Sequence, residues 1–504
     1  MAPFFALLAP LPIAPSQKPS LVFTDRSDQV VLPPEPREFR GAWVATVDNI
    51  DWPSKKGLTT SALKSEIDAI VDKASELKLN ALVFQVRPAA DALYPSKLEP
   101  WAEWITGTQG QGPKDGKSDF DPLAYMIHAC HSHAIELHAW FNPYRAWHPA
   151  SRSAPASNQV SVAHPDWTKS YGNYKWLDPG RSDVADWTLK VVNDVVNRYD
   201  LDGVHIDDYF YPYPIKGQDF PDSDSYADYQ KHHGKLDRHA WRRDNTDAFV
   251  HNLYTEVKHE KPWVKVGISP FGIYRPGIPA GIQASTDQYD GLYADAKKWL
   301  NEGWCDYFAP QLYWKLSQTQ QAYSPLLNWW VSQNVMGRQI WPGNFTSRLT
   351  ENNWPAQEIV DEIACTRNTR GATGNIHFSM ITLMNNVKSL DNLLEAGPYS
   401  GEALVPACPW LDTAPLSKPR LSLFVNSETA TAIFEAKSLN LVECWATWRR
   451  YGANWVFHVV PRDQTRWVFA AHENGQKLTA CAVAAVDRAE VSSPYAIWSD
   501  GGNP

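Results

Sequence analysis

The sequence predicts a parallel (β/α)8 barrel with enlarged βα loops, followed by a small C-terminal all-β sandwich. Three observations carry that prediction. Between Glu38 and Asn392, eight strand-like runs are each followed by a helix or helix-length stretch at regular spacing. The run ALVFQVRP (Ala81–Pro88) is almost continuously apolar, as a strand covered on both faces must be. Beyond the Pro-rich stretch 406–419 the pattern changes to short β-type runs between polar turns, from LSLFV to LTACAVAAV. A doubly wound open sheet is disfavoured, because no glycine-rich phosphate turn follows any strand.

In chain order, FRGAWVATV (Phe39–Val47) is the first strand and ends in the turn-like DNIDWPS. Leu58–Leu79 follows, with Leu63, Ile67, Ile70, Val71 and Leu77 on one helical stripe. After the second strand, a helix over Pro122–Ile135 opens behind Asp121 with proline at its first position, a strong start signal. Glu136–Arg145 is the third strand and Val184–Tyr199 the next helix. The fourth strand lies in GVHIDDYFYPYP (Gly203–Pro214), where Val204 and Ile206 alternate with His205 and Asp207 until Pro212 and Pro214 force a loop. Trp241–Glu260 and Tyr293–Glu302 read as helices around a strand at Val264–Gly272, and Asp306–Trp314 is the sixth strand. Ser324–Gln333, Gln339–Phe345, Pro355–Arg370 and Asn375–Leu383 complete the alternation. The expected division is an N-terminal arm or weak signal segment (1–37), the barrel (38–405), a linker (406–419) and the sandwich (420–504).

Composition narrows the function. A net charge of -9 argues against a nucleic-acid partner and leaves a neutral polymer open. The 24 tryptophans exceed what a core of this size requires; about half belong in the core, and the remainder suit flat ligands such as sugars, whose C–H faces stack on rings. Six scattered cysteines contain no C-x-x-C pair, so neither a zinc site nor a disulfide framework is indicated, Cys444–Cys481 being the one bridge considered. Met1–Ala14 is apolar but too short to span a bilayer, and its first basic residue is Lys18, so it reads as a weak signal; an extracytoplasmic location is favoured and no transmembrane segment is expected.

Polar and aromatic groups gather at the strand ends: Trp43 on the first strand, Gln85 and Arg87 on the second, and Trp140, Asn142, Tyr144 and Arg145 on the third. His205, Asp207, Asp208 and Tyr209 come from the fourth, Ser269 from the fifth, and Gln311, Tyr313 and Trp314 from the sixth. Converging on one barrel face, these groups make a site for a polyhydroxylated ligand. Trp43, Trp140, Tyr209, Tyr313 and Trp314 are the expected stacking platforms. Gln85, Arg87, Asn142, Arg145 and Gln311 are the expected partners of hydroxyl, acetamido or carboxylate groups. Hydrolysis of a glycosidic bond needs two carboxyl groups. Adjacent strand residues point opposite ways, so Asp207 faces the barrel mouth with His205. Its partner is Asp208 or one of Asp51, Asp91, Asp287, Asp290 and Asp295; the competing role for Asp208 is structural, with Arg242 or Arg243 as its partner. The histidines of HACHSHAIELH (His128, His131, His133, His138) spread over a helix and the next strand, so they read as surface or helix-terminal residues rather than a metal site, and no cofactor is expected.

These stretches resemble the glycosyl hydrolase-like 10 family, bacterial TIM-barrel proteins. FRGAWVATVDNIDWPS, FQVRPAADALYPSKLEPW, HAWFNPYR, LDPG, DGVHIDDYFYPYP, WRRDN, ISPFG, YADAKKWL and DYFAPQLYW match its motifs in order, from about Glu38 to Asn392. The resemblance implies a glycosidase-like activity, with peptidoglycan glycan strands among its substrates, and places Asp207 and Asp208 at the active-site mouth. One departure is visible: IHFSMITLMNN on the eighth strand carries no acid, where some relatives have a Glu-Asp pair. The C-terminal part resembles, more loosely, the fibronectin type III-like domains that some members carry.

Overall fold

A computed structural model describes residues 30–116, 118–351, 354–411 and 414–500; the apolar segment at the N-terminus lies outside them. Eight strands form one parallel sheet: β1 (Phe39–Val44), β2 (Ala81–Arg87), β3 (Glu136–Phe141), β4 (Gly203–Ile206), β5 (Lys265–Ile268), β6 (Tyr307–Phe308), β7 (Gln339–Ile340, resuming at Gly343–Asn344) and β8 (Gly374–His377). The first half of β7 pairs with β6 and its second half with β8, so the two edges of the sheet meet in one segment and the sheet curls into a TIM-barrel-like α/β fold.

The helices between them are α1 (Thr60–Glu76), α2 (Pro122–His131), α3 (Ser182–Arg198), α4 (Arg238–Glu260), α5 (Ala296–Glu302), α6 (Tyr323–Gln333), α7 (Ala356–Asn368) and α8 (Leu390–Ala396). Several start at side-chain caps. Thr59 accepts from the Ala62 amide, Asp121 from Ala124, Asp237 from Ala240 and Asp295 from Lys298. Strand residues such as Leu82, Phe84, Val204 and Ile206 pack outward against these helices. More than half of the tryptophans are buried.

The strands are shorter than the apolar runs suggest. β6 stops at Phe308 because Pro310 has no N–H to continue the ladder. After β8 the chain turns helical at Met380–Met384 instead of extending to Leu383, since the Asp51 carboxylate takes the Ile381 amide and the Ser379 hydroxyl at the start of that turn.

Inside the barrel, polar side chains form a hydrogen-bonded column. Lys265 and His138 both bond Glu136, His138 meets the Tyr307 hydroxyl at 2.8 Å, and Tyr307 meets His205 at 2.9 Å. Two glycines make room for it: a Cβ on Gly203 would lie 2.5 Å from the His138 ring, and one on Gly267 would lie 1.8 Å from that of Tyr307.

The C-terminal strands are β9 (Arg420–Val425), β10 (Thr429–Glu435), β11 (Val442–Tyr451), β12 (Asn454–Pro461), β13 (Arg466–Ala470), β14 (Gln476–Asp487) and β15 (Ala496–Ser499). They make two antiparallel sheets, β9-β10-β13 and β12-β11-β14-β15. Alternation on β14 sends Cys481, Val483 and Ala485 into the core with Phe434 and Trp445, and Ala482, Ala484 and Val486 to the other face with Leu404. The bridge considered from the sequence does not form. Cys444 stands opposite Val486 and Cys481 opposite Arg449, and the two cysteines belong to opposite faces of one sheet.

The all-β unit docks where the barrel strands begin. Arg488 bonds Asp200 at 2.7 Å, Asp202 at 2.9 Å and the Leu201 carbonyl at 3.1 Å, with Glu443 at 2.8 Å. Arg488→Ala takes from Glu443 its ion pair and leaves it only the more distant His131, whereas Asp202 keeps His131 at 2.8 Å. A loss of about 2 kcal/mol is expected, read as a lower midpoint in denaturant at pH 7. Among the described residues no helix is long and apolar enough to cross a membrane.

Candidate active site

At the C-terminal ends of the strands lies a cavity of about 280 Å³ lined by Trp43, Ala45, Val47, Ile50, Gln85, Trp140, Arg145, Asp207, Asp208, Tyr209, Ser269, Gln311, Tyr313, Phe345 and Phe378. Its two carboxyl groups are those of Asp207 and Asp208. β4 delivers them: Ile206 packs into the helix layer, so Asp207 turns into the mouth, and the chain leaving the strand brings Asp208 round beside it.

Asp207 is 4% exposed and accepts from Trp140 Nε1 at 3.0 Å and Asn142 Nδ2 at 3.1 Å. Burial, and secondly the neighbouring Asp208, push its pKa up to about 7; Arg145 and the Trp140 bond work in the opposite direction. Burial also raises the pKa of Asp208, against donors that favour its charged form, the Tyr213 hydroxyl and the Gln311 amide. The pair therefore holds one acid poised near neutrality and one carboxyl braced to carry charge.

Rings form the walls. Tyr313 lies 4.5 Å from Phe345 and 6.0 Å from Phe378 between centroids, and Trp43 meets Phe378 edge-on at 6.0 Å. Below them, Trp43 Nε1 donates to His205 Nε2 at 3.1 Å. That nitrogen is consequently an acceptor, and burial holds the imidazole neutral by lowering its pKa. The Gln85 carbonyl oxygen takes the amides of Thr46 and Val47 at 2.9 Å, leaving its Nε2 buried without a partner.

The family model for glycosyl hydrolase-like 10 matches residues 38–358. The chain belongs to the glycosyl hydrolase-like 10 family. It is 39% identical over 419 residues to the glycosyl hydrolase YngK of Bacillus subtilis (strain 168), covering 81% of this chain and 79% of that one. To the glycosyl hydrolase DigH of Escherichia coli (strain K12) it is 36% identical over 315 residues, 58% of this chain and 69% of that one. The solved glycoside hydrolase domain of PgaB (BpsB) from Bordetella bronchiseptica superposes with a TM-score of 0.46 at 11% identity, over 71% of this chain and 98% of that one.

Of the residues expected in this family member's site, the structure gathers Trp43, Gln85, Trp140, Arg145, Asp207, Asp208, Tyr209, Ser269, Gln311 and Tyr313 around the cavity. Five expected ligand contacts lie elsewhere. Arg87 is on the face of β2 that ought to follow Gln85, but a register shift between the two turns it outward to Glu99 and the carbonyls of Asn142 and Pro143. Asn142 is fully buried and braces Asp207 and the Arg145 amide. Tyr144 points into the helix layer against Phe249, and Trp314 stands edge-on to Phe271. His205 is one layer beneath the floor.

The other candidate carboxylates are engaged elsewhere. Asp51 accepts from Ala45, Ser379 and Ile381, and Asp91 from Ala89 and Gln109. Asp287 and Asp295 cap helices, while Asp290 pairs with Arg243 and Arg275. Arg242 binds Asp222 and Asp219, so neither arginine reaches Asp208. The histidines do not converge. His138 belongs to the axial column, and His131 meets Asp202 and Glu443 at the docked end. There burial opposes its charge but Asp202 outweighs it, raising its pKa to about 9, so at neutral pH the imidazolium is paired with that carboxylate.

Phe345 and Phe378 were not expected. Their signal was present, an aromatic one residue beyond β7 and one beyond β8, but both strands looked longer in sequence and hid those ends.

Tyr213, five residues beyond Asp208, donates to that carboxyl and favours its charged form against the effect of burial. Tyr213→Phe should raise the pKa of Asp208 further, moving the acid limb of a pH–rate profile to higher pH by about one unit, the worth of one hydrogen bond to a charged group. An unmoved limb would remove Tyr213 from this role.

Proposed function

We propose that the protein is a glycoside hydrolase that cleaves O-glycosyl bonds in peptidoglycan glycan strands or a related polysaccharide. The observation that carries this reading is Asp207, a buried acid with a pKa of about 7 at the floor of an aromatic-walled cavity, paired with Asp208. A group with that pKa is still largely protonated just below neutrality and can give its proton to the departing glycosidic oxygen. Asp208, braced by Tyr213 and Gln311, supplies the negative charge that offsets the cation developing at the anomeric carbon. Trp43, Trp140 and Tyr313 offer faces for sugar C–H groups, and the spare Nε2 of Gln85 offers a donor to a hydroxyl or acetamido oxygen.

Peptidoglycan is the substrate class that the family resemblance favours, and it carries with it an extracytoplasmic location. The cavity lining comes wholly from the barrel, whereas the all-β unit docks at the opposite end; this supports a spacer role for that unit. Its sheet order, three strands against four, supports a fibronectin type III-like reading.

The test is release of soluble fragments from purified, peptide-stripped peptidoglycan by wild type beside Asp207→Asn. Fragments from wild type alone support the reading. Equal release by both would remove Asp207 from the chemistry, and binding without release would make the barrel a glycan-binding module.

A further inference from the structure

Four arginines are buried among the described residues, and three are neutralised on the spot. Arg40 lies 2.7 Å from Glu38, Arg87 2.6 Å from Glu99 and Arg242 2.7 Å from Asp222. Arg145 is the exception. It is 6% exposed, lines the cavity beside Asp207 and Asp208, and among the described residues has no carboxylate within ion-pair distance of its guanidinium. Its Nε is buried without a hydrogen-bond partner.

The position is built rather than incidental. Arg145 opens a short strand (Arg145–Trp147) that pairs with Tyr174–Leu177 in the loop beyond β3. Its amide is held by the Asn142 side chain at 3.0 Å, the same side chain that bonds Asp207. The guanidinium lies 4.6 Å from the centre of the Tyr209 ring, with Trp176 at 5.9 Å and Tyr174 at 6.0 Å. Rings support the planar cation without satisfying the N–H groups at its edge. What remains is an aligned fork of donors in a largely dry site, and the acceptor geometry that matches such a fork is a carboxylate.

We propose that Arg145 is a specificity-determining residue that recognises a carboxylate on the sugar seated in the cavity, so that the protein prefers an acidic glycan to a neutral one of the same backbone. The inference rests on the glycan-hydrolase reading and adds a charge requirement to it. A carboxylate in this place accepts from the donors of the one cavity cation, which Asp207 and Asp208 leave unbonded. The carboxylate belongs either to an ether substituent on an N-acetylhexosamine, as in a peptide-free cell-wall strand, or to the ring of a uronic acid.

Binding is measured separately from turnover. Asp207→Asn is titrated with peptide-free glycan strands, with the same strands after their carboxylates are converted to methylamides, with chitin oligosaccharides and with oligogalacturonides. Asp207→Asn/Arg145→Gln is titrated in parallel. Acidic strands should bind about ten- to a hundredfold more tightly than amidated strands or chitin, and Arg145→Gln should remove that difference. Tighter binding of oligogalacturonides than of glycan strands would assign the carboxylate to a uronic acid. Equal affinity for acidic and amidated strands, or no binding of either, overturns the proposal, as does an equal loss on both in Arg145→Gln. Arg145→Lys guards against a folding defect, since it keeps the charge and should keep part of the preference. A wild type that binds with carboxylate dependence but releases no fragments would defeat the hydrolase reading and leave this inference standing.

Discussion

Asp207→Asn is expected to lower fragment release by about 10²- to 10⁴-fold, the range general acid catalysis supplies, while making the protein more stable in alkali. Both effects come from one cause. The pocket holds a carboxyl against Trp140, Asn142 and Asp208 with little water, and burial raises its pKa to about 7. In the proposed mechanism the acid form gives its proton to the leaving group, so the wild-type rate should fall as pH rises through about 7. In the unfolded chain the same group titrates near 3.9. Between those two values the native state keeps a proton that the unfolded chain has released, so rising pH disfavours the native state across the window. Above about 7 the native state carries the whole cost of a buried charge, which at ~1.4 kcal/mol per unit amounts to a few kcal/mol. Asparagine does not titrate, and its carbonyl oxygen can still accept from Trp140 and Asn142. Urea denaturation at pH 5 and pH 8 should therefore show the variant gaining on wild type between the two. If the gap is the same at both, Asp207 is not the buried acid described here. A site residue that costs stability is the usual mark of function.

Arg87→Met is expected to destabilise the fold by about 3–5 kcal/mol and to leave substrate affinity nearly unchanged. From sequence, Arg87 looked like a ligand contact. Instead it and Glu99 form a buried two-point pair at 2.8 and 2.6 Å, and its other end holds the carbonyls of Asn142 and Pro143 as the chain leaves β3. Without Arg87, Glu99 keeps Trp187 Nε1 at 3.1 Å but no cation. Removing both charges in Arg87→Met/Glu99→Met should recover most of the loss, because the heavy penalty belongs to the unpaired survivor rather than to the pair. Denaturant midpoints of the two variants check this, with KM measured on the folded fraction. A higher KM at unchanged stability would return Arg87 to the binding site.

The fold was legible because burial leaves a periodic trace. Leu63, Ile67, Ile70 and Val71 lie on one helical stripe whatever they pack against, and Pro122 behind Asp121 starts a helix by local chemistry alone. The alternation of Val204 and Ile206 against His205 and Asp207 likewise placed Asp207 in the mouth, although Asp208 lines the same cavity. Period-2 reasoning failed where the ladder broke its own period. A shift between Gln85 and Arg87 rotated an arginine out of the site, and no residue type near it announces that shift. Strand ends were overrun for a related reason, since apolar loops at the barrel mouth read like strand. Phe345 and Phe378 were missed with them.

The sequence by itself determined the TIM-barrel-like α/β fold, the all-β C-terminal part, the family and the placing of Asp207 in the mouth, because each rests on local periodicity or on motifs in linear order. Only the tertiary structure decided that Asp208 is the other carboxyl in the cavity, since eliminating Asp51, Asp91, Asp287, Asp290 and Asp295 required seeing what each already holds. It alone separated Arg145, a buried cation that no carboxylate among the described residues bonds, from Arg87, a buried cation paired with Glu99. Partnership between side chains is made across strands far apart in the chain, and a linear pattern does not record it.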